Sequence, residues 1–261
     1  MDLGLRDKLV VVTGGGAGIG QGISRACLAE GARVVVLARH SQNTDDFMAE
    51  MKATGAKCDF VEAHLEDAER CRTAIEEIET KFGDIYGLVN NAGVNDGVGL
   101  ASGTVEKFLN SLNLNLVHCY ALAHYALAGL KRQQGAIVNI SSKVAMTGQG
   151  NTSGYAASKG GQLALTRDWA AELLADNVRV NAVLPAEVMT PLYERWVKTL
   201  GDPEAKLKEI TSKIPLGHRM TTQAEIAAAT VFLLSPTQSG HTTGQHLLVD
   251  GGYVHLDRAL T

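Results

Sequence analysis

The chain has 261 residues, of which 45% are hydrophobic and 20% charged, a composition that is ordinary for a folded globular protein. Its formal net charge of −4 gives no basic surface for nucleic acid, and no apolar run approaches the roughly 20 residues of a membrane-spanning helix. Because the first residues also lack the layout of a signal peptide, we expect a cytoplasmic protein with no nucleic-acid or membrane partner.

The first half of the chain alternates short β-rich runs with amphipathic stretches, which predicts parallel strands connected by helices. Strands are expected at Lys8–Thr13, Arg33–Ala38 and Lys57–Ala63. Helices are expected at Gly18–Glu30, Asp45–Thr54 and Asp67–Phe82. Each of these helices is followed by a glycine, the usual left-handed stop.

The second half continues the alternation with longer helices. Its strands are expected at Gly87–Asn90, Ala136–Ile140, Arg179–Val183 and Gln245–Val249. Its helices are expected at Val105–Leu130, Tyr155–Leu174 and Thr222–Leu234. No linker or repeat interrupts the pattern, so we predict a single α/β domain over residues 1–261. The stretch at about 186–215 is too long for a plain connection, and we expect a substrate loop or lid there.

A glycine-rich turn, Thr13-Gly14-Gly15-Gly16-Ala17-Gly18-Ile19-Gly20, joins the first strand to the first helix. Such a turn lets the backbone approach a pyrophosphate, and the helix amino end supplies N–H groups and partial positive charge. The spacing differs from Gly-x-Gly-x-x-Gly, and a tight turn without a ligand is the alternative.

The end of the second strand indicates which nicotinamide cofactor fits. An acid there would hold the adenosine ribose of NAD, but the sequence reads Ala38-Arg39. Arg39 can pair with a 2′-phosphate, although an exposed loop cation is the alternative. We therefore predict that NADP is preferred and that NAD is possible. The four cysteines and eight histidines show no metal-ligand spacing, so no metal ion is expected.

Tyr155 and Lys159 stand four residues apart on an expected helix, which puts both side chains on one face. A fixed ammonium favours the phenolate and lowers the pKa of a phenol, so the pair is suited to proton transfer. Taken alone, the spacing is also typical of an exposed helix pair without a chemical role.

Six motifs in order make the chain resemble the short-chain dehydrogenase/reductase family along nearly its whole length. They are Thr13–Gly20, Asn90-Asn91-Ala92-Gly93, Asn115, Ser142, Tyr155 with Lys159, and Thr243-Gly244 with Val249–Gly252. The resemblance implies a single-domain Rossmann fold, a seven-stranded parallel sheet with helices on both faces, and usually a homotetramer.

The resemblance also implies a catalytic tetrad of Asn115, Ser142, Tyr155 and Lys159. Tyr155 would be the general base, Lys159 would lower its pKa and hold the nicotinamide ribose, and Ser142 would orient the reacting oxygen. Asn115 would hold a water, with Asn113 as the competing candidate by register. The implied cofactor contacts are Gly14, Gly16, Gly18, Ile19, Gly20, Arg39, Leu65, Asn91, Gly93, Tyr155, Lys159, Val188 and Thr190.

Two positions depart from the family pattern. The chain has Pro185-Ala186 where the family usually has Pro-Gly, and His64-Leu65 where an Asp commonly contacts adenine. The first departure reduces backbone freedom, and the second leaves the adenine contact to backbone groups or to His64.

Within the family, several segments resemble the bacterial L-fucose dehydrogenases, which oxidise the anomeric carbon of L-fucose and related aldoses to lactones. These segments are Asn95-Asp96-Gly97, Ser142-Lys143, Thr147–Tyr155, Pro185–Tyr193 and the tail His255–Leu260. The expected substrate residues are Asn95, Ser142, Lys143, Gln149, Asn151, Glu187, Met189 and Tyr193. They are mostly polar, which suits a sugar, because each buried hydroxyl without a partner costs roughly 1–3 kcal/mol.

Three alternatives stay open. A 2-keto-3-deoxy sugar-acid dehydrogenase would use Lys143 for the carboxylate of its substrate. A 3-oxoacyl-carrier-protein reductase would need an apolar slot for the acyl chain. A nucleotide-binding regulator on the same fold would have lost Tyr155 or Lys159, and both are present.

Overall fold

Seven strands form one sheet in this structure, a computed structural model that describes residues 2–256. They are β1 Leu9–Thr13, β2 Arg33–Ala38, β3 Cys58–Glu62, β4 Gly87–Asn90, β5 Ala136–Ile140, β6 Arg179–Pro185 and β7 His246–Val249. The order is β3-β2-β1-β4-β5-β6-β7, and every neighbouring pair is parallel. The predicted seven-stranded Rossmann fold is confirmed. Positions 257–260 of the tail motif lie outside the described residues.

Ten α-helices connect or flank the strands within the described part of the chain. They are α1 Gly18–Ala29, α2 Gln42–Ala53, α3 Ala68–Phe82, α4 Val105–Leu112, α5 His118–Tyr125, α6 Leu127–Gln133, α7 Ser153–Glu172, α8 Pro191–Val197, α9 Pro203–Ser212 and α10 Gln223–Leu234.

Side-chain caps explain where several helices begin. Helix α2 starts three residues before the predicted Asp45, because the Ser41 hydroxyl accepts a hydrogen bond from the Thr44 amide. Helix α10 begins with a capping box in which Thr222 and Glu225 each accept from the other's backbone amide. Such caps contribute about 1 kcal/mol each and fix the directions in which the helices leave the sheet edge.

The prediction of one continuous helix over Val105–Leu130 is wrong. The segment is divided by a π-helical turn at Asn113–Val117, and a second break separates α5 from α6 at Ala126. A π-turn keeps the backbone helical while rotating later side chains, so the apolar periodicity does not reveal it. The turn also carries Asn115, which it holds fully buried.

The core lies on both faces of the sheet, because both faces of a parallel sheet are covered by helices. Along β1, Leu9 and Val11 pack on the side of α3 and α5, whereas Val10 and Val12 pack on the side of α1 and α10. Each of these valines is completely buried, which contributes about 1.5–3 kcal/mol per side chain. The two packed layers hold the carboxyl ends of the strands in a fixed arrangement.

The long segment that was predicted as a lid contains the two helices α8 and α9 after β6. Both helices start with a capped residue followed by proline, namely Thr190-Pro191 and Asp202-Pro203. None of the helices in residues 2–256 combines the length and apolar character needed to cross a membrane. Nor do the described His, Cys, Asp and Glu side chains form a group of three that could hold a metal ion.

Candidate active site

A cavity of about 670 Å³ opens at the carboxyl ends of the central strands. Its walls come from α7 and from the segments that follow β1, β2, β3, β4, β5 and β6. In the sheet order, β1 and β4 are neighbours, and the chain continues from them toward opposite edges. Crevices at such a switch point are the usual ligand sites of open parallel sheets.

The glycine-rich turn forms one wall of this cavity through Gly14, Gly18 and Ile19. Gly14 has φ +64°, in the left-handed region that favours glycine. A Cβ on Gly20 would lie 2.3 Å from the Gly14 carbonyl oxygen, so the turn and helix α1 can approach this closely only without a side chain. Gly16 does not line the cavity and packs against Thr44 instead.

Thr13 and Asn91 tie this turn to the end of β4. The Thr13 hydroxyl donates to the Val89 carbonyl and accepts from the Asn91 and Ala92 amides, and the Asn91 side chain donates to the Thr13 carbonyl. Asn91 and Gly93 both line the cavity. The two predicted motifs therefore form one rigid wall.

Arg39 and Leu65 lie at the end of the cavity beyond β2 and β3, with His40, Glu62 and His64 also in the wall. Glu62 is the register partner of Ala38, and its carboxylate lies 3.6 Å from His40 Nε2. A carboxylate therefore stands beside the end of β2, although it belongs to the neighbouring strand. Glu62 could have been predicted from the pairing of β2 with β3, which places it beside Ala38.

Tyr155, Ser142 and Lys159 meet at the other end of the cavity. Helix α7 carries Tyr155 and Lys159, and Ser142 follows β5. The Ser142 hydroxyl hydrogen-bonds the phenol of Tyr155 and also accepts from the Val144 amide. Lys159 Nζ donates to the Ile140 carbonyl at 2.8 Å and lies 5.6 Å from the Tyr155 ring centroid.

Burial dominates the protonation of this pair. It raises the pKa of the Tyr155 phenol to about 12, and the hydrogen bond from Ser142 acts in the opposite direction. It lowers the pKa of the Lys159 ammonium to about 8, and the charge of Cys119 opposes that shift. The lowering of the phenol pKa by Lys159 stays a prediction. In this structure burial sets the pKa of Tyr155, and the Lys159 ammonium donates to the Ile140 carbonyl.

Asn115 lies behind the cavity wall and supports it from within the π-turn. Its side-chain oxygen accepts from the Val94 amide at 2.7 Å, and its side-chain nitrogen donates to the Ser111 carbonyl. A Cβ on Gly93 would lie 2.8 Å from that oxygen, so the loop packs directly on Asn115. Asn113, the competing candidate, donates to the Glu66 carbonyl at the surface.

Val188 and Thr190 line the cavity on the side of β6 and α8. Val188 is buried and forms an isolated parallel β-bridge with Thr221. The Thr190 hydroxyl caps α8 by accepting from the Tyr193 amide, so it has a structural partner as well as a place in the wall.

A polar cluster of Lys143, Glu187, Tyr193 and Tyr253 adjoins the Ser142 side of the cavity. Lys143 and Glu187 form an ion pair whose side chains are only 10% and 14% exposed. Lys143 Nζ lies 4.1 Å from the Tyr253 ring centroid. Tyr193 hydrogen-bonds Glu187, and burial together with that carboxylate raises the pKa of its phenol. Of the four, only Tyr193 is among the residues that line the cavity.

The other predicted substrate residues are exposed and do not belong to the cavity wall that the structure describes. They are Asn95, Gln149, Asn151 and Met189. The Asn95 side chain accepts from the Gly97 amide, and Asn151 has φ +53° beside Gly99.

A family model described as enoyl-(acyl carrier protein) reductase matches residues 14–254 of the chain. L-fucose dehydrogenase of Bos taurus is 38% identical over 246 residues, covering 94% of this chain and 88% of that protein. The 3-oxoacyl-[acyl-carrier-protein] reductase of Thermotoga maritima is 33% identical over 251 residues, covering 96% and 99%. The L-fucose dehydrogenases found are mammalian, whereas the prediction named bacterial enzymes.

Solved structures give the same picture. The Cj0485 dehydrogenase superposes with a TM-score of 0.94 at 44% identity, covering 100% of this chain and 99% of that one. The aldohexose dehydrogenase of Thermoplasma acidophilum superposes with a TM-score of 0.88 at 31% identity, covering 99% and 98%.

Proposed function

We propose that this chain, which belongs to the short-chain dehydrogenase/reductase family, oxidises the C1 hydroxyl of L-fucose or a related aldose to the lactone. Membership of the family makes it an oxidoreductase that acts on CH–OH groups with a nicotinamide dinucleotide. The proposal concerns the substrate, the product and the residues that perform the reaction.

One observation carries the proposal. The hydrogen-bonded Tyr155 and Ser142 stand with Lys159 in the wall of the same cavity that the glycine-rich turn lines. A dinucleotide held by its pyrophosphate at Gly14 and Gly18 has room to extend along this cavity toward Tyr155. A hydroxyl beside its nicotinamide ring would then face a proton acceptor.

In the proposed oxidation, C1 loses a hydride and its hydroxyl loses a proton. The C1–H bond breaks as a hydride, which the oxidised nicotinamide ring accepts when it is bound. The C1 hydroxyl proton passes to the Tyr155 oxygen, and the C1 carbonyl of the lactone forms. The Ser142 hydroxyl donates to the substrate oxygen and orients it. Tyr155 accepts this proton as its phenolate. Burial raises the pKa of the phenol to about 12, and the hydrogen bond with Ser142 already acts against that rise.

The Lys143–Glu187–Tyr193 cluster supports a sugar as the substrate. Glu187 accepts from both Lys143 and Tyr193, which fixes the direction of its remaining acceptor sites. A sugar hydroxyl next to Tyr193 would find the phenol oxygen as an ordered acceptor, because the Tyr193 hydroxyl already donates to Glu187. The similarity to enzymes named for L-fucose and aldohexoses favours the same class of substrate.

Arg39 supports NADP as the preferred cofactor and Glu62 supports NAD as a usable one. Both side chains reach the same end of the cavity. Arg39 can pair with a 2′-phosphate, whereas a carboxylate there can hold two free ribose hydroxyls. His40 also lines this end, and its Nε2 lies 3.6 Å from the Glu62 carboxylate.

Reduction of a 3-oxoacyl thioester is the second candidate, because of the 33% identity to the Thermotoga reductase. A sugar-acid substrate has less support. It would need a free cation for its carboxylate, and Lys143 is already paired with Glu187.

We also propose that residues 1–261 act as one domain whose segment 186–215 closes over the substrate, and that four copies assemble. Two separate apolar faces support the assembly. Val105 and Leu109 of α4 and Tyr120 of α5 are 77%, 57% and 55% exposed, and Phe232 and Leu247 at the β7 edge are 39% and 37% exposed. A tetramer with 222 symmetry requires distinct self-complementary faces, and these two groups of exposed apolar side chains would supply them.

A panel of aldoses, a 2-keto-3-deoxy sugar acid and an acetoacetyl thioester, each with NADP or NAD, tests the proposal through the absorbance of the reduced cofactor. We expect L-fucose or a close relative to give the highest kcat/KM. Glu187→Gln should raise the KM of that sugar and leave the cofactor KM unchanged, whereas the surface variant Glu194→Gln should change neither. Turnover confined to the thioester would contradict the sugar assignment.

A further inference from the structure

Gln162 connects Lys159 to the π-turn through a fully buried carboxamide. It lies on α7 three residues after Lys159, with no exposed surface. Its Oε1 accepts from Lys159 Nζ at 3.3 Å, and its Nε2 donates to the Asn115 carbonyl and to Cys119 Sγ, both at 3.2 Å. Because an ammonium can only donate, Lys159 fixes which end of the carboxamide faces it.

The two hydrogen-bond acceptors of the Lys159 ammonium are neutral. They are the Ile140 carbonyl at the end of β5 and the Gln162 carboxamide. Lys159 is 3% exposed, and an ammonium held by neutral groups in such a place relies on the geometry of those groups. Any loss of one acceptor leaves a buried donor without a partner, which is costly in a core.

The Asn115 carbonyl takes part in the same arrangement. The family resemblance assigns a water to Asn115, yet in this chain its carbonyl accepts the Gln162 amide. Since the Asn115 side chain holds the Val94 loop, the π-turn links the loop and Lys159 through Gln162. Asn115, Gln162 and Lys159 in this link are buried and hydrogen-bonded, which favours a fixed geometry.

We propose that Gln162 is a positioning residue that fixes the Lys159 ammonium for the reaction, with Cys119 and the Asn115 carbonyl holding Gln162 from α5 and the π-turn. The role in turnover rests on the proposed function, whereas the effect on Lys159 itself does not. Gln162 acts through Lys159 and does not line the cavity.

An amide oxygen accepts a hydrogen bond from the ammonium but does not take its proton near neutral pH. Gln162 therefore stabilises the charged form without discharging it. An apolar side chain at this position would remove that stabilisation and lower the pKa of Lys159 further. A carboxylate would add an opposite charge and raise it.

Other titratable groups also face this centre. Tyr155 faces Lys159 from the same helix, and Cys119 faces it from α5. Cys119 in turn contacts His118 and interacts with the Cys71 thiol of α3. The turn after β4 and the end of β5 present amide, hydroxyl and backbone groups. Because Gln162 also donates to Cys119 Sγ, the titration is repeated in a Cys119→Ala background, where a remaining shift of Lys159 reports the carboxamide.

The test measures Lys159 directly, by NMR titration of the full chain labelled with ¹³C at the lysine Cε. The Lys159 signal is assigned by its loss in Lys159→Met. We expect the Lys159 midpoint of Gln162→Leu to fall by about one pH unit or more and that of Gln162→Glu to rise by a similar amount. Thr166→Val, equally buried on the same helix and bonded only to the Gln162 backbone and Asn139, should leave it unchanged.

Equal midpoints in the wild type and both Gln162 variants would overturn the proposal. The proposal would also be overturned if the Lys159 midpoint shifted as much in Thr166→Val as in Gln162→Leu. A general destabilisation of the helix would then explain both shifts. If Gln162→Leu does not fold, the isosteric Gln162→Glu decides alone. The titration needs no substrate, so it tests the effect of Gln162 on Lys159 even if the assignment of a sugar substrate is wrong. Where a substrate is found, the alkaline limb of kcat should move with the Lys159 midpoint in each variant.

Discussion

Replacing Lys143 by Met should destabilise the protein, because the change leaves the Glu187 carboxylate without its cation. The ion pair is nearly enclosed, with side chains 10% and 14% exposed, and Lys143 also stacks over Tyr253. Met preserves most of the aliphatic length, so the loss is mainly one of charge. The Tyr193 hydroxyl remains on Glu187 but cannot neutralise it.

The expected loss in the free energy of unfolding follows from the burial of the Lys143–Glu187 pair. Removing one partner of a fully buried pair costs about 3–5 kcal/mol, and the residual exposure here lowers our expectation to about 2–4 kcal/mol. At about 3 °C per kcal/mol for a domain of this size, the melting temperature should fall by roughly 6–12 °C. Replacing both partners, Lys143→Met with Glu187→Leu, should recover most of the loss, since no unpaired charge remains.

Thermal unfolding at neutral pH, followed by circular dichroism, measures this. The matched control is Lys198→Met, which removes the cation of an ion pair whose side chains are 68% and 58% exposed. The control should melt with the wild type, because exposed pairs contribute little. If Lys143→Met also melted with the wild type, the pair would be solvated and our description of the cluster would be wrong.

Three further predictions concern the cofactor and pH. Arg39→Asp should shift the ratio of kcat/KM values from NADP toward NAD, and an unchanged ratio would remove Arg39 from that role. Gly20→Ala should weaken dinucleotide binding at least tenfold in calorimetry, because its Cβ would lie 2.3 Å from the Gly14 carbonyl, whereas Gly201→Ala, with nothing nearby, should bind normally. Burial lowers the pKa of Lys159 from 10.5 to about 8, so between these values the unfolded chain binds more protons and stability rises with pH. Urea unfolding should therefore show the wild type gaining stability relative to Lys159→Met from pH 8 to 10, and parallel profiles would contradict the shift.

The fold could be predicted from the sequence because segments with the hydrophobic period of a strand alternate regularly with segments that have the period of a helix. β2 and β4 match their predicted bounds, and Gly31 and Gly83, both at positive φ, follow the helices they were expected to end. The π-turn at Asn113–Val117 was not readable, because a single wider turn does not disturb the apolar pattern over so few residues.

Contacts within the site could be predicted where the residues are close in sequence. They could not be predicted where the residues come from distant segments. Tyr155 and Lys159 share a helix face, so their proximity follows from spacing alone. The pairing of Lys143 with Glu187 joins residues 44 positions apart, and spacing carries no signal for it. The burial that raises the pKa of Tyr155 also depends on the packing of elements that are remote in the chain, so the sequence does not reveal it.

Turnover of Tyr155→Phe with the best aldose of the panel tests the central claim most directly. Phe keeps the ring and removes only the oxygen that accepts the proton, so dinucleotide affinity should stay within about threefold of the wild type. Turnover should fall by about 100- to 10,000-fold or more, the usual contribution of a positioned acid–base group. Tyr120→Phe, at a tyrosine that is 55% exposed, makes the same chemical change away from the cavity and should keep full activity. Turnover of Tyr155→Phe close to that of Tyr120→Phe would contradict the assignment of Tyr155 as the proton acceptor.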